Sequence, residues 1–170
     1  MENQAVPAKE DNAEVLYLAF ELSRKKWKLG FSNGRMPQIR QVTIESGDLE
    51  ACRGEIEKAK QRFEMKASAQ VRSCYEAGRE GFWLHRALTE TGVESIVVDA
   101  ASIEVNRRQR RAKTDRMDVE KLARQLVRYW RGEHDVWRIV RAPSPEAEDA
   151  RQLHRQFAQR IRHFHFGAFH

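Results

Sequence analysis

The chain has 170 residues, 41% hydrophobic and 33% charged, with a formal net charge of +6 and a pI near 9.6. That length suits one domain with a sizeable core, and the basic balance favours an anionic partner: nucleic acid, an anionic membrane surface or an acidic protein. No apolar run approaches the roughly 18 residues of a membrane span, and the polar start MENQAVPAKEDNAE has no signal-peptide core. Cys52 and Cys74 lack metal-type spacing and read as buried thiols of a reducing compartment, so a cytoplasmic location is expected.

In chain order, residues 1–14 read as a disordered leader. Val15 to Phe20 (VLYLAF) predicts a buried strand. Trp27 to Phe31 and Ile39 to Ile44 alternate and predict two more, joined by the polar turn SRKK and a turn at Gly34–Pro37. Short connections between three strands imply an antiparallel meander. Asp48 then offers an N-cap to a helix carrying Leu49, Cys52, Ile56, Ala59 and Phe63. Val71 to Tyr75 predicts a fourth strand. A second helix carries Phe82, Leu84, Ala87 and Leu88 and stops near Gly92, and Glu94 to Val98 predicts a fifth strand. Asp115 or Thr114 is expected to cap a third helix with Val119, Leu122, Ala123, Leu126 and Val127. Val136 to Val140 is expected to be extended, and Pro143 opens a last helical stretch over Glu146 to Phe157. The order β-β-β-α-β-α-β-α predicts an α/β fold, a mixed sheet flanked by helices on both faces.

The chemistry concentrates in IEVNRRQRRAKTDRMD, residues 103–118. Five cations, Arg107, Arg108, Arg110, Arg111 and Lys113, precede Asp115 and Asp118. Such a run repels itself unless an anion is near, which favours phosphate contact over a merely solvated loop. Glu21 follows the first strand and Glu76 the fourth. If those strands are neighbours, both carboxylates emerge at one edge. Asp115 and Asp118, three apart, would share a helix face. Four acids from different elements could therefore hold Mg²⁺, a hard cation satisfied by oxygen ligands and water. Each acid also has an ordinary role, as a solvated strand end or a helix cap.

Three segments, LYLAFELSRKKWKLGF, SCYEAGREGFWLHRAL and VVDAASIEVNRRQRRAKTDRMDVEKLARQL, resemble the N-terminal domain of the DEDD insertion-sequence transposases of bacteria, the bridge-RNA-guided recombinases. The similarity covers roughly residues 15–157, and its most specific parts are KTDRMD with its basic run and Tyr75-Glu76-Ala77-Gly78. The resemblance implies a RuvC-like, ribonuclease-H-like domain over 15–142 and the start of a helical linker over 143–170. It also implies a metal-binding and catalytic tetrad of Glu21, Glu76, Asp115 and Asp118, holding Mg²⁺ or Mn²⁺ for phosphoryl transfer on DNA. A structured guide RNA and homo-oligomeric assembly are implied as partners, and no membrane.

Two departures stand out. The family's first acid is typically aspartate, in G-x-D-x-S-K, where this chain has Ala19-Phe20-Glu21-Leu22-Ser23. The family's second domain, which supplies a serine nucleophile, lies beyond the helical linker, and the ending RIRHFHFGAFH breaks the helical pattern. A shortened or frameshifted copy is therefore expected, and a nucleic-acid-binding remnant without catalysis is the alternative to a working transposase. His163, His165 and His170 have no ligand partner at a recognisable spacing. Ser23 and Ser102 lack a base. Trp27, Phe82 and Trp83 are expected in the core, and Gly78 and Gly81 in a tight turn.

Overall fold

The structure, a computed structural model, describes residues 13–78, 81–103 and 118–151. The chain divides into two compact units, Met1–Val140 and Arg141–His170. In the first, an antiparallel meander of β1 (Val15–Leu22), β2 (Lys26–Ser32) and β3 (Arg40–Glu45) leads into α1 (Leu49–Arg62). Then come β4 (Gln70–Glu76), α2 (Trp83–Glu90), β5 (Glu94–Val98) and α3 (Val119–Trp130). The sheet order is β3-β2-β1-β4-β5, with β4 parallel to both β1 and β5. This is a mixed sheet flanked by helices, consistent in general terms with a ribonuclease-H-like architecture.

Strand position explains strand composition. β1 is central and covered on both faces, so its apolar run is nearly continuous. Leu16, Leu18 and Phe20 join one core with Cys52 and Ile56 of α1 and Leu84 and Leu88 of α2. Tyr17 and Ala19 turn the other way and join Cys74 of β4 with Leu122, Ala123 and Leu126 of α3. β3 is an edge strand, and its alternating polar pattern leaves it largely exposed. Asp48 caps α1 as its position predicts, its Oδ1 accepting from the Ala51 N–H at 2.8 Å.

Two expectations need correction. α3 begins at Val119, and its N-cap is Asp118, in extended backbone with φ −60° and ψ 139°, rather than Thr114 or Asp115. Asp118 is therefore a cap and not a helical residue of α3, so helical i,i+3 spacing does not relate it to Asp115. Along Val136 to Val140, expected to be extended, Ile139 bridges Val98 of β5, with the Val140 N–H donating to the Val97 carbonyl at 2.8 Å and the Asp99 N–H to the Arg138 carbonyl at 2.9 Å. Val136 and Trp137 just before the bridge are both buried. Trp27 is in the core as expected, but Trp83 is 37% exposed, its ring 5.8 Å from that of Trp27.

In the second unit, residues 145–151 are helical. Ser144 opens this turn, its hydroxyl accepting from the Ala147 N–H at 3.2 Å. Among the described residues, no helix is long and apolar enough to cross a membrane.

Candidate functional site

β1, β4 and β5 run parallel, so their C-terminal ends lie at one edge of the sheet. Glu21 and Glu76 stand there, one residue past the paired Phe20 and Tyr75. Because Phe20 and Tyr75 belong to the core beneath α1 and α2, alternation places Glu21 and Glu76 on the opposite face, the one α3 covers. The Glu76 charge also reaches Cys74, two residues earlier on that face. Burial pushes the Cys74 thiol well up, and the carboxylate of Glu76 adds to the effect.

α3 packs on the same face of the sheet. Its first residue, Val119, sits over Gly30 of β2, which pairs with Ala19 of β1. Its last turn lies at the other end of β1, where the Arg131 guanidinium donates to the Gly34 carbonyl and Arg72 stacks on Trp130 at 4.2 Å. The helix thus runs antiparallel to β1. Asp118 immediately precedes the Val119–Gly30 contact. Small side chains at Ala19, Gly30, Cys74 and Ala123 permit this close packing.

Each acid already has local work. Glu21 faces Lys28 across the β1–β2 pair, with Lys28 Nζ 3.7 Å from Glu21 Oε2. Asp118 Oδ1 accepts from the Glu120 N–H at 3.1 Å as the cap of α3. A carboxylate has about four lone-pair positions, so a cap leaves acceptor capacity on the same group. Among the described residues no group of three His, Cys, Asp or Glu side chains is gathered closely enough to hold a metal ion. Asp115 and the basic run Arg107, Arg108, Arg110, Arg111 and Lys113 lie outside the described residues, as do His163, His165 and His170.

Other candidates have structural roles. Ser102 Oγ donates to the Asp99 carbonyl at 2.7 Å and accepts from the Arg138 N–H at 2.7 Å. Ser23 Oγ donates to the Lys26 carbonyl in the β1–β2 turn. Gly81 has φ +65°, the left-handed backbone a tight strand-to-helix turn requires.

Two features went unread in the sequence. Asp99 is a further acid at the same strand-end edge, just past β5, where it accepts from the Ala101 N–H at 3.0 Å and lies 4.0 Å from Arg138. The second is a line of cations on the exposed side of α3, Lys121, Arg124, Arg128 and Arg131. Their 3, 4, 3 spacing, legible in the sequence, sets all four on one face.

No family model matches the chain. Over 156 residues it is 36% identical to a curated protein of Sinorhizobium fredii (strain NBRC 101917 / NGR234) named "Putative transposase y4rJ", an overlap of 88% of this chain and 39% of that protein. The chain thus spans about two fifths of the length of this relative, and what it resembles, at the level of family, is a transposase.

Proposed function

We propose that this chain is the RuvC-like domain of a DEDD-type transposase, spanning about residues 15–142, that binds DNA and takes part in metal-assisted phosphoryl transfer. The observation that supports the reading is the parallel pairing of Phe20 with Tyr75, which sets Glu21 and Glu76 on neighbouring strands at one edge, on the sheet face that α3 covers; Asp118, the cap of α3, is the third acid proposed. Asp115 would complete the set. Carboxylate oxygens suit Mg²⁺, which needs only one or two of them beside water and substrate phosphate. A bound Mg²⁺ supplies Lewis acidity to the phosphoryl oxygens and lowers the pKa of an attacking water.

The chain's own residues supply placement. β1 and β4 hold Glu21 and Glu76 at their strand ends, Glu21 paired with Lys28 of β2 and Glu76 with Val98 of β5. α3 fixes Asp118 through its capping bond. Lys28 sits beside Glu21 and balances its charge before a metal or substrate arrives. The run Arg107–Lys113 would grip phosphates ahead of Asp115 and Asp118, positioning backbone without reading sequence. A structured guide RNA and self-assembly are proposed on the family resemblance, and the same basic run suits either nucleic acid.

The second reading is a nucleic-acid binder without catalysis. It needs only the basic balance of the chain, a formal net charge of +6. Nicking of supercoiled DNA with Mg²⁺ or Mn²⁺ separates the two, with Glu76→Gln and Asp118→Asn as comparisons. Metal-dependent nicking that both variants lose is the expected outcome. Salt-sensitive binding without nicking would favour the second reading. No binding to DNA or RNA at low salt would overturn both.

A further inference from the structure

At the end of the sheet opposite the carboxylates lies a cavity of about 280 Å³. It opens where β1 and β4 begin, between the turn after β2 and the last turn of α3. Its lining includes Arg35, Arg72, Arg131, Trp130 and Asn33, with Glu14 as its single acid. The three guanidiniums are not equally committed. Arg72 is paired with Glu94 at 3.1 Å and stacked on Trp130. Arg131 donates to the Gly34 carbonyl, a neutral partner. Arg35 stands exposed at the rim, presented by an Asx turn in which Asn33 Oδ1 accepts from the Arg35 and Met36 N–H groups at 3.0 and 2.9 Å.

Gly34 allows this arrangement. Its φ is +71°, and a Cβ there would meet the Tyr17 ring at 3.0 Å and Arg131 Nη2 at 3.5 Å. The turn can therefore lie flat against β1 with both arginines beside it. The Trp130 indole N–H is buried and has no acceptor among the described residues. Glu14 offers little opposition, since its Oε2 already accepts from the Lys66 N–H at 2.9 Å. The α3 C-terminus brings partial negative charge, but full charges on Arg35 and Arg131 outweigh it.

The exposed cations of α3 connect this cavity to the carboxylate edge. Lys121 stands next to the Asp118 end and Arg131 lines the cavity. Ten residues of helix span about 15 Å, roughly the axial length of four nucleotides of one strand. Arg124 is paired with Glu120 and Arg128 with Glu133, both at 2.7 Å. Lys121 and Arg131 have no carboxylate partner among the described residues. Positive charge is thus concentrated at the two ends.

We propose that the cavity between Arg35 and Arg131 holds a backbone phosphate of a nucleic acid, and that α3 carries the strand from there to the carboxylate edge. This rests on the nucleic-acid part of the proposed function and not on its metal. The volume sits at the small end of ligand pockets, which suits one phosphodiester rather than a free dinucleotide cofactor.

The test is binding of the full chain to labelled 30-nucleotide single-stranded DNA, the matching duplex and an RNA hairpin, in EDTA, across 50 to 300 mM salt. The double variant Arg35→Gln/Arg131→Gln is expected to bind on the order of tenfold more weakly to at least one of the three, with a salt slope shallower by about 1 to 2. The probe most affected identifies the nucleic acid. A control of equal charge change, Arg53→Gln/Arg62→Gln on α1, is expected to bind nearly as wild type. A thermal melt verifies folding, and the single variant Arg35→Gln, which leaves the Arg131–Gly34 bond in place, should alone shift the slope. Equal binding by wild type and the cavity variants would overturn the track while leaving the nucleic-acid reading intact. Equal weakening by the α1 control would reduce the effect to net charge and also overturn it. Failure of the wild type to bind any probe at 50 mM salt would overturn both.

Discussion

Gly30 on β2 lies directly beneath Val119, the first residue of α3, and a Cβ at Gly30 would stand 3.1 Å from both Val119 Cγ2 and the Val119 carbonyl oxygen. Backbone cannot yield as a flexible side chain can. This contact sets how near α3 comes to the sheet, and so where Asp118 stands relative to Glu21.

Gly30→Ala is expected to destabilise the fold by about 1–3 kcal/mol, and Gly30→Val by more, through overpacking. The better strand propensity of either residue offsets at most about 1 kcal/mol. Urea denaturation measures the difference. A Gly30→Ala protein as stable as wild type would remove the contact from the argument.

Asp118 should separate cap from catalysis. Asp118→Ala loses the bond to the Glu120 N–H and is expected to cost about 1 kcal/mol. Asp118→Asn keeps a capping oxygen and should lie close to wild type in stability. Both are expected to lose any metal-dependent nicking. An asparagine variant that nicks normally would strip Asp118 of its metal role.

Glu55 gives a pH signature. Its hydrogen bonds from Arg40 at 2.6 Å and Lys58 at 2.9 Å hold the carboxyl below its usual value of 4.5. A carboxyl lowered on folding contributes stability that is complete above its unfolded pKa and is lost as pH falls through its folded one. Glu55→Gln should therefore flatten the fall in stability below about pH 4.5. Urea midpoints at pH 5.5 and pH 3 would show it, and parallel curves for the two proteins would count against the pair.

The cysteines should be silent in the native state. Burial, and then the charges of Asp48 and Glu55, push the Cys52 thiol up to about 12, and burial pushes Cys74 up as well. At neutral pH neither is a thiolate, so both should resist a thiol-disulfide reagent until guanidinium exposes them. Fast labelling of the folded chain would contradict that burial.

The strands were legible because alternation and apolar runs record local burial directly. Glu94–Val98 and the Asp48 cap needed nothing beyond their neighbours. The start of α3 was not legible. Asp115 and Asp118 are equally good caps by type, and Val119 settling on Gly30, a residue far away in sequence, makes Asp118 the cap. Val136–Val140 was legible as an extended piece, while its bridge to Val98 of β5 was not. Glu21 and Glu76 could be named from the sequence, but their shared edge depended on β4 adding parallel to β1, which no pattern within either strand announces. The cations of α3 are readable at helical spacing, beside the denser run that precedes them.

Strand order also dictates a sequence of assembly. β1 is the earliest described strand and the middle of the sheet, hydrogen-bonded to β2 across a short turn and to β4 across the whole of β2, β3 and α1. The meander can zip locally, while the other side of β1 must wait for a distant segment, the slower kind of closure. Until Gln70–Glu76 arrives, the meander has a sticky flank of unpaired amides, and chaperone capture or aggregation of nascent chains should fall within that interval. The juxtaposition of Glu21 and Glu76 is then the last product of the slow step, so any site built on them appears only once the sheet has closed.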